Sequence, residues 1–223
     1  MTIPLAIYNT MSGQRERTLL RYNTNISSVA FSPSGKQLAS VDNGEIKLWN
    51  VESGKLEHVH EEPTHWVTHV VYAPDGKHLV TGGSVVKRAL LMPIKLRSHE
   101  SWRTLGASEV HMWDLEIGEL TWTRRLPSER IRSGRGIAVS PDGRWLAGAI
   151  YVPGGPQHGY EIPLWDLTKR AHATTIPMQE DGDTTAHSVC FSPDSSTLAF
   201  VASGVRGGKW QSWLKLWTCA RRS

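Results

Sequence analysis

Phe31-Ser32-Pro33-Ser34-Gly35-Lys36-Gln37-Leu38 reads as the end of one strand, a tight turn and the start of a second strand, and the pattern returns three times. Its counterparts open with Tyr72-Ala73-Pro74-Asp75-Gly76, Val139-Ser140-Pro141-Asp142-Gly143 and Phe191-Ser192-Pro193-Asp194-Ser195. Proline presets φ for the first turn position, and glycine takes positive φ without a steric penalty. Seven residues after each leading residue stands Leu38, Leu79, Leu146 or Leu198, and farther on Trp49, Trp113, Trp165 or Trp217. Four copies in register make this chain a repeat, whose units bury their apolar faces by stacking.

Within a unit the order is strand, turn, strand, loop, strand, turn, strand. Residues 26–31 and 187–191 are small and apolar, as expected of buried inner strands. A second strand is expected at 37–41, an alternating third at Glu45-Ile46-Lys47-Leu48-Trp49, and an outer strand at 56–60 after the polar turn at 52–55. Radial stacking of such sheets gives an all-β fold, a β-propeller of four-stranded antiparallel blades. The chain reads as a single domain, 1–223, with units at about 23–62, 63–127, 128–178 and 179–223. Tyr8 precedes Phe31 by 23 residues, as Trp49 precedes Tyr72, so residues 1–22 read as a partial blade made of a third and a fourth strand. About four blades plus a partial one point to an incomplete or open propeller. Two alternatives stand beside it: a small ring closed by the amino-terminal outer strand pairing with the strand at 213–219, and two arcs combining into one ring. Open strand edges invite self-association.

The turn motif, the second-strand Leu-Ala-Ser and the ending Leu-Trp-Asp or Met-Trp-Asp resemble the tryptophan-aspartate (WD) repeat β-propellers over essentially the whole chain. Trp113-Asp114 and Trp165-Asp166 match the signature, whereas Trp49-Asn50 and Trp217-Thr218 keep only the tryptophan. The resemblance implies blades braced by a histidine, a Ser or Thr, a turn Asp and the tryptophan. Here Tyr22 stands where the first histidine would be; Ser40 and Thr81 keep the hydroxyl position, and Gly148 and Phe200 replace it. These blades are therefore expected to rely on packing around tryptophan more than on a buried polar network. Because the family serves many processes, fold alone does not supply function.

A hydrophobic share of 39% with 21% charged residues suits an ordinary globular chain. Two cysteines, Cys190 and Cys219, outline no disulfide framework, so a cytoplasmic location is expected. No stretch approaches the roughly 18 apolar residues of a membrane span. The net charge of +4 has one source. Residues 85–108 hold five cations against Glu100, and without them 20 basic residues face 20 acidic ones.

Spacing singles out that same segment. From second-strand leucine to third-strand tryptophan the distances are 11, 34, 19 and 19 residues, while the other distances barely vary. Three units are thus enlarged in the loop between second and third strands, and those loops share one propeller face. A rigid scaffold carrying variable loops is what a binding surface needs. The 85–108 insertion carries Lys87, Arg88, Lys95, Arg97, Trp102 and Arg103, and the loop 204–210 of the last unit carries Arg206, Lys209 and Trp210. Basic and aromatic side chains together favour a protein or an acidic or phosphorylated peptide over nucleic acid. The competing reading is a solvated loop whose apolar residues merely cover a blade edge. The loop at Pro153-Gly154-Gly155-Pro156 reads as a spacer.

His58, His60, Glu61, Glu62, His65 and His69 lie within twelve residues but read as a solvated polar face rather than a zinc site, and neither metal nor cofactor is expected. Cys190 reads as core on an inner strand. Neither a phosphate-cradling glycine loop nor a Cys-x-x-Cys pair appears, and the inner strands offer only Arg135 and His187 as polar exceptions. The expected function is a non-catalytic protein-interaction or scaffold module acting through one loop face. The alternative is a hydrolase or small-ligand propeller with a central pocket.

Overall fold

Backbone chemistry at the four repeated turns is uniform. Gly35, Gly76 and Gly143 have φ of 69°, 68° and 73°, and Ser195 takes the same left-handed conformation at 61° without being glycine. Where the motif begins with serine, its hydroxyl accepts from the amide five residues on: Gln37 to Ser32, Trp145 to Ser140 and Thr197 to Ser192. The serine thus closes the turn with a side-chain bond.

The computed structural model describes residues 3–22, 26–42, 45–61, 65–85, 108–125, 136–152, 159–176, 178 and 183–219, and among these there are strands and turns but no helix. An opening hairpin pairs β1 (Ile3–Tyr8) with β2 (Arg15–Tyr22). The first full sheet runs β3 (Ile26–Phe31), β4 (Gln37–Asp42), β5 (Glu45–Asn50), β6 (Leu56–Glu61), and the second runs β7 (His65–Tyr72), β8 (His78–Val85), β9 (Ser108–Asp114), β10 (Glu119–Arg125). The third contains β11 (Ile137–Val139), β12 (Trp145–Gly148), β13 (Ile150–Val152), β14 (Gly159–Asp166) and β15 (Ala171–Ile176), with β12 and β13 both pairing with β14. The last holds three strands, β16 (Asp183–Phe191), β17 (Thr197–Arg206) and β18 (Lys209–Thr218). All pairings are antiparallel, as expected of consecutive strands joined by short turns.

One stacking rule builds the core. Ile46 and Leu48 of β5, with Ala39 and Val41 of β4, pack against Val67, Val70 and Tyr72 of β7. Val110 and Met112 of β9 meet Ile137 and Val139 of β11, and Ile162 and Leu164 of β14 meet Val189 and Phe191 of β16. The opening hairpin enters the series through Leu5, Ile7 and Leu19 against Ile26, Leu38 and Trp49. Each fully buried aliphatic side chain of this kind contributes about 1.5–3 kcal/mol. The fold is that of an incomplete β-propeller, with blade-like sheets packed in series.

Two expectations of burial are corrected. β3 was expected to be buried, yet Val29 and Phe31 are 49% and 55% exposed, because among the described residues no strand lies over that face of β3. Cys190 was expected in the core and is exposed: β16 alternates, Val189 turns toward the third sheet, and no described residue covers the opposite face. A third correction concerns 204–210, expected as a loop. It is the end of a ribbon in which β17 and β18 pair without interruption from Thr197↔Thr218 to Arg206↔Lys209. Gly207 and Gly208, both at positive φ, make the two-residue turn that such ribbons favour.

Candidate loop-face interaction site

The signature residues hold the scaffold. Trp49 and Trp113 are buried and donate through Nε1 to Ser40 Oγ at 2.9 Å and to Thr81 Oγ1 at 3.2 Å, so two blades retain a tryptophan–hydroxyl bond beneath the packing. Asp114 Oδ1 accepts from the amides of Glu116 and Ile117, and Asp166 Oδ1 from those of Thr168 and Lys169. Asn50 Oδ1 does the same for Ser53, which explains why the aspartate position tolerates asparagine. Burial of Asp166 raises its pKa, but the Thr168 hydroxyl, the Lys169 amide and the Arg144 guanidinium outweigh that and hold it below the ordinary value.

Two of the enlarged connections are extensions of the sheets themselves. Ser84 pairs with Ser108, so the 85–108 insertion leaves and re-enters the second sheet at adjacent strand ends. Lys87, Arg88, Lys95, Arg97, Trp102 and Arg103 lie outside the described residues, as do 153–158 and Arg135. In the third sheet β13 lengthens the ladder on β14, and in the last sheet the β17–β18 ribbon projects beyond its neighbours' pairing. At its tip Arg206 lies over the Trp213 ring, 4.4 Å from the centroid, while Lys209 and Trp210 are exposed. The Trp213 ring thus holds the face of the Arg206 guanidinium.

A concavity of about 350 Å³ lies between the outer part of the third sheet and the end of β18. Trp145, Leu164, Lys169, His172, Trp217 and Cys219 line it with the Arg144–Asp166 pair. Arg144 stacks on Trp145 at 4.5 Å and reaches Asp166 Oδ2 at 3.4 Å, so its charge is matched locally. Burial, and secondarily Asp142, pushes the Cys219 thiol up, which makes it a poor nucleophile.

On the inner strands, His187 Nε2 lies 2.9 Å from Ser203 Oγ, itself 2.7 Å from Ser212 Oγ. The chain of contacts ties β16, β17 and β18 together, and Ser203 is buried beyond the reach of a substrate. His58 and His60 share a side of β6 as the strand period requires, with stacked rings 6.3 Å apart. The expectation of a wholly solvated face is corrected at His60, whose ring is half-buried against Trp113 of the second sheet. Among the described residues no three His, Cys, Asp or Glu side chains converge on a common point. No helix among them is long and apolar enough to cross a membrane.

Comparison with known proteins agrees with this geometry. Residues 13–50 and 54–84 match the WD domain, G-beta repeat family. An uncharacterized WD repeat-containing protein of Synechocystis is 29% identical over 61% of this chain and 45% of its own length. The Caenorhabditis elegans small ribosomal subunit protein RACK1 is 26% identical over 64% of this chain and 34% of its own. Human apoptotic protease-activating factor 1 is 41% identical over 30% of this chain and 6% of its own. The chain thus spans less than half the length of each of these relatives. Among solved structures, Kuenenia stuttgartiensis hydrazine synthase superposes with a TM-score of 0.73 over 97% of this chain and 57% of that one; at 12% identity the likeness is one of fold. The repeated turn, the blade-forming sheets and the matched regions agree: residues 13–50 and 54–84 are WD repeats, and the chain as a whole is built like a WD-repeat β-propeller.

Proposed function

We propose that this chain is a non-catalytic protein-interaction module that presents the loops between its second and third strands to a protein, or to an acidic or phosphorylated peptide. The observation that carries the reading is the placement of the ribbon tip at Arg206, Lys209 and Trp210, on the same class of connection as the 85–108 insertion whose strand ends meet at Ser84 and Ser108. Repeated topology sends these connections to one side of the arc. The sequence of the insertion holds Lys87, Arg88, Lys95, Arg97, Trp102 and Arg103, and the ribbon tip holds Trp210, residue types that supply charge and anchoring area to a binding loop. Relatives named as a small ribosomal subunit protein and an apoptotic protease-activating factor support a role among other macromolecules. Two free cysteines support a cytoplasmic setting.

Replacing 85–108 by Asp-Asn-Gly tests the site. The variant should melt within a few degrees of the parent and lose binding to an array of glutamate-rich and phosphoserine peptides. Equal binding by both proteins would overturn the assignment of the site to this insertion.

A further inference from the structure

The outer strands of the first three sheets are fastened differently. Three residues before the signature tryptophan, the third strand meets the outer one at equivalent pairs: Ile162 with Ile176, Val110 with Arg124 and Ile46 with His60. Ile176 is buried in the core between the third and last sheets, while β10, whose Arg124 is exposed, packs through Trp122 instead. β6 has neither anchor. Leu56 and Val59 are each 44% exposed, no β6 side chain enters a hydrophobic core among the described residues, and His60 is the one member of the strand that is not exposed. A titratable ring thus stands where β15 has a buried isoleucine.

The ring of His60 lies 5.8 Å from that of Trp113 on β9, with His58 stacked on it at 6.3 Å and the turn at Gly118 close by. Its Nε2 is buried with no hydrogen-bond partner among the described residues. A neutral imidazole can leave that nitrogen bare, whereas an imidazolium carries a proton on both nitrogens. Charging the ring therefore buries an N–H that nothing accepts. Burial, and after it the charge of His58, accordingly lowers the pKa of His60. The Trp113 ring attracts a cation, but a second imidazolium at His58 opposes it. Glu57 points away, toward Gln37 and Asn50, and Glu61 pairs with Glu45, which Lys47 holds. On β9, His111 lies 3.4 Å from Glu109, and Asp114, Glu116 and Glu119 flank the Gly118 turn. Tyr72 of β7 is pushed up to about 12. Of these residue types, histidine is the one that ordinarily changes charge between pH 5 and 8.

We propose that His60 is an acid-released latch on β6: protonation of its ring frees the outer strand of the first sheet while the other strands stay packed. Release uncovers the outer edge of β5 and the side of Trp113 that His60 covers. The core beneath, with Ile46, Leu48, Leu79 and Trp113 among its members, is too large for one charge to open, which confines the change to β6. A freed His60 binds the proton more tightly than a packed one. Release therefore grows as pH falls below about 6.5 and levels off below the lowered pKa, and at pH 5.5 its ceiling is an increase of about tenfold.

Hydrogen exchange of the whole chain tests this, followed segment by segment at about pH 7.5 and pH 5.5 and corrected for the intrinsic pH dependence of amide exchange. Opening of β6 should rise about three- to tenfold at the lower pH, and that of β15, held by Ile176, should not. His60→Ile copies the third sheet and should remove the response. His60→Gln is polar but does not titrate, and should remove it as well, so the outcome does not hang on how either variant changes stability. A β6 that opens alike at both pH values would overturn the latch, as would a rise shared equally by β6 and β15. A response that survives in His60→Gln would do the same and assign the effect to His58 or His111.

Discussion

The backbone amide of Asp142 donates to the Ser195 hydroxyl at 3.0 Å, joining the turn of the third sheet to the turn of the last. Ser195 stands where the other turns have glycine and is held at positive φ. Its backbone cost and its inter-sheet bond therefore oppose each other. Ser195→Ala keeps the cost and loses the bond, and should destabilise by about 1–2 kcal/mol. Ser195→Gly loses the bond but relieves the backbone, and should stay within about 1 kcal/mol of the parent. Urea midpoints check both, and a fully stable alanine variant would show that the bond contributes nothing.

The tryptophan–hydroxyl bonds give a second test. Ser40→Ala leaves Trp49 Nε1 buried without its acceptor, and Thr81→Val does the same to Trp113 with little change of shape. Each should cost about 1–3 kcal/mol, the penalty for an orphaned buried donor. Thermal melts that placed both variants level with the parent would mean that packing alone holds these rings.

Tyr72 carries the opposite imbalance. Its hydroxyl is buried without a hydrogen-bond partner among the described residues, and burial, with Glu57 nearby, pushes its pKa up to about 12. A phenol whose folded pKa is raised contributes stability below the unfolded value and loses it as pH rises through the folded one. Tyr72→Phe should thus be neutral or stabilising near pH 7, and should remove part of the loss of stability between about pH 10 and 12. Denaturant titration at both pH values decides it.

Acid should act through two histidines. Burial lowers the pKa of His60, with His58 adding to the effect, and burial lowers that of His69. Both rings therefore bind a proton less readily folded than unfolded. Stability is full above the unfolded value of about 6.5 and falls as pH drops below it. His60→Leu, which keeps an apolar contact on Trp113, should flatten part of the slope between pH 7 and pH 5; an unchanged slope would assign it to other groups.

How much of this was legible in the sequence follows from the range of each interaction. The four turns, the leucine seven residues on and the tryptophan beyond are local or nearest-strand features, so periodicity exposed them together with the opening hairpin at Tyr8. The exposure of Cys190 and Phe31 was not legible, because alternation gives two faces to a strand and only the neighbouring sheet decides which is covered. The 204–210 segment was misread for a related reason. Paired glycines suggest a loop, yet two positive φ values in succession also make the tightest turn of a continuous ribbon.

The sequence by itself determined the blade, its turn chemistry and the connections that are enlarged, since these depend on residues close along the chain. Only the tertiary structure decided which faces of β3 and β16 are covered among the described residues, that Asp142 reaches Ser195, and that His60 meets Trp113. Those features depend on what lies beside each strand, and a linear pattern of apolar residues is the same whether or not a neighbour is there to bury it.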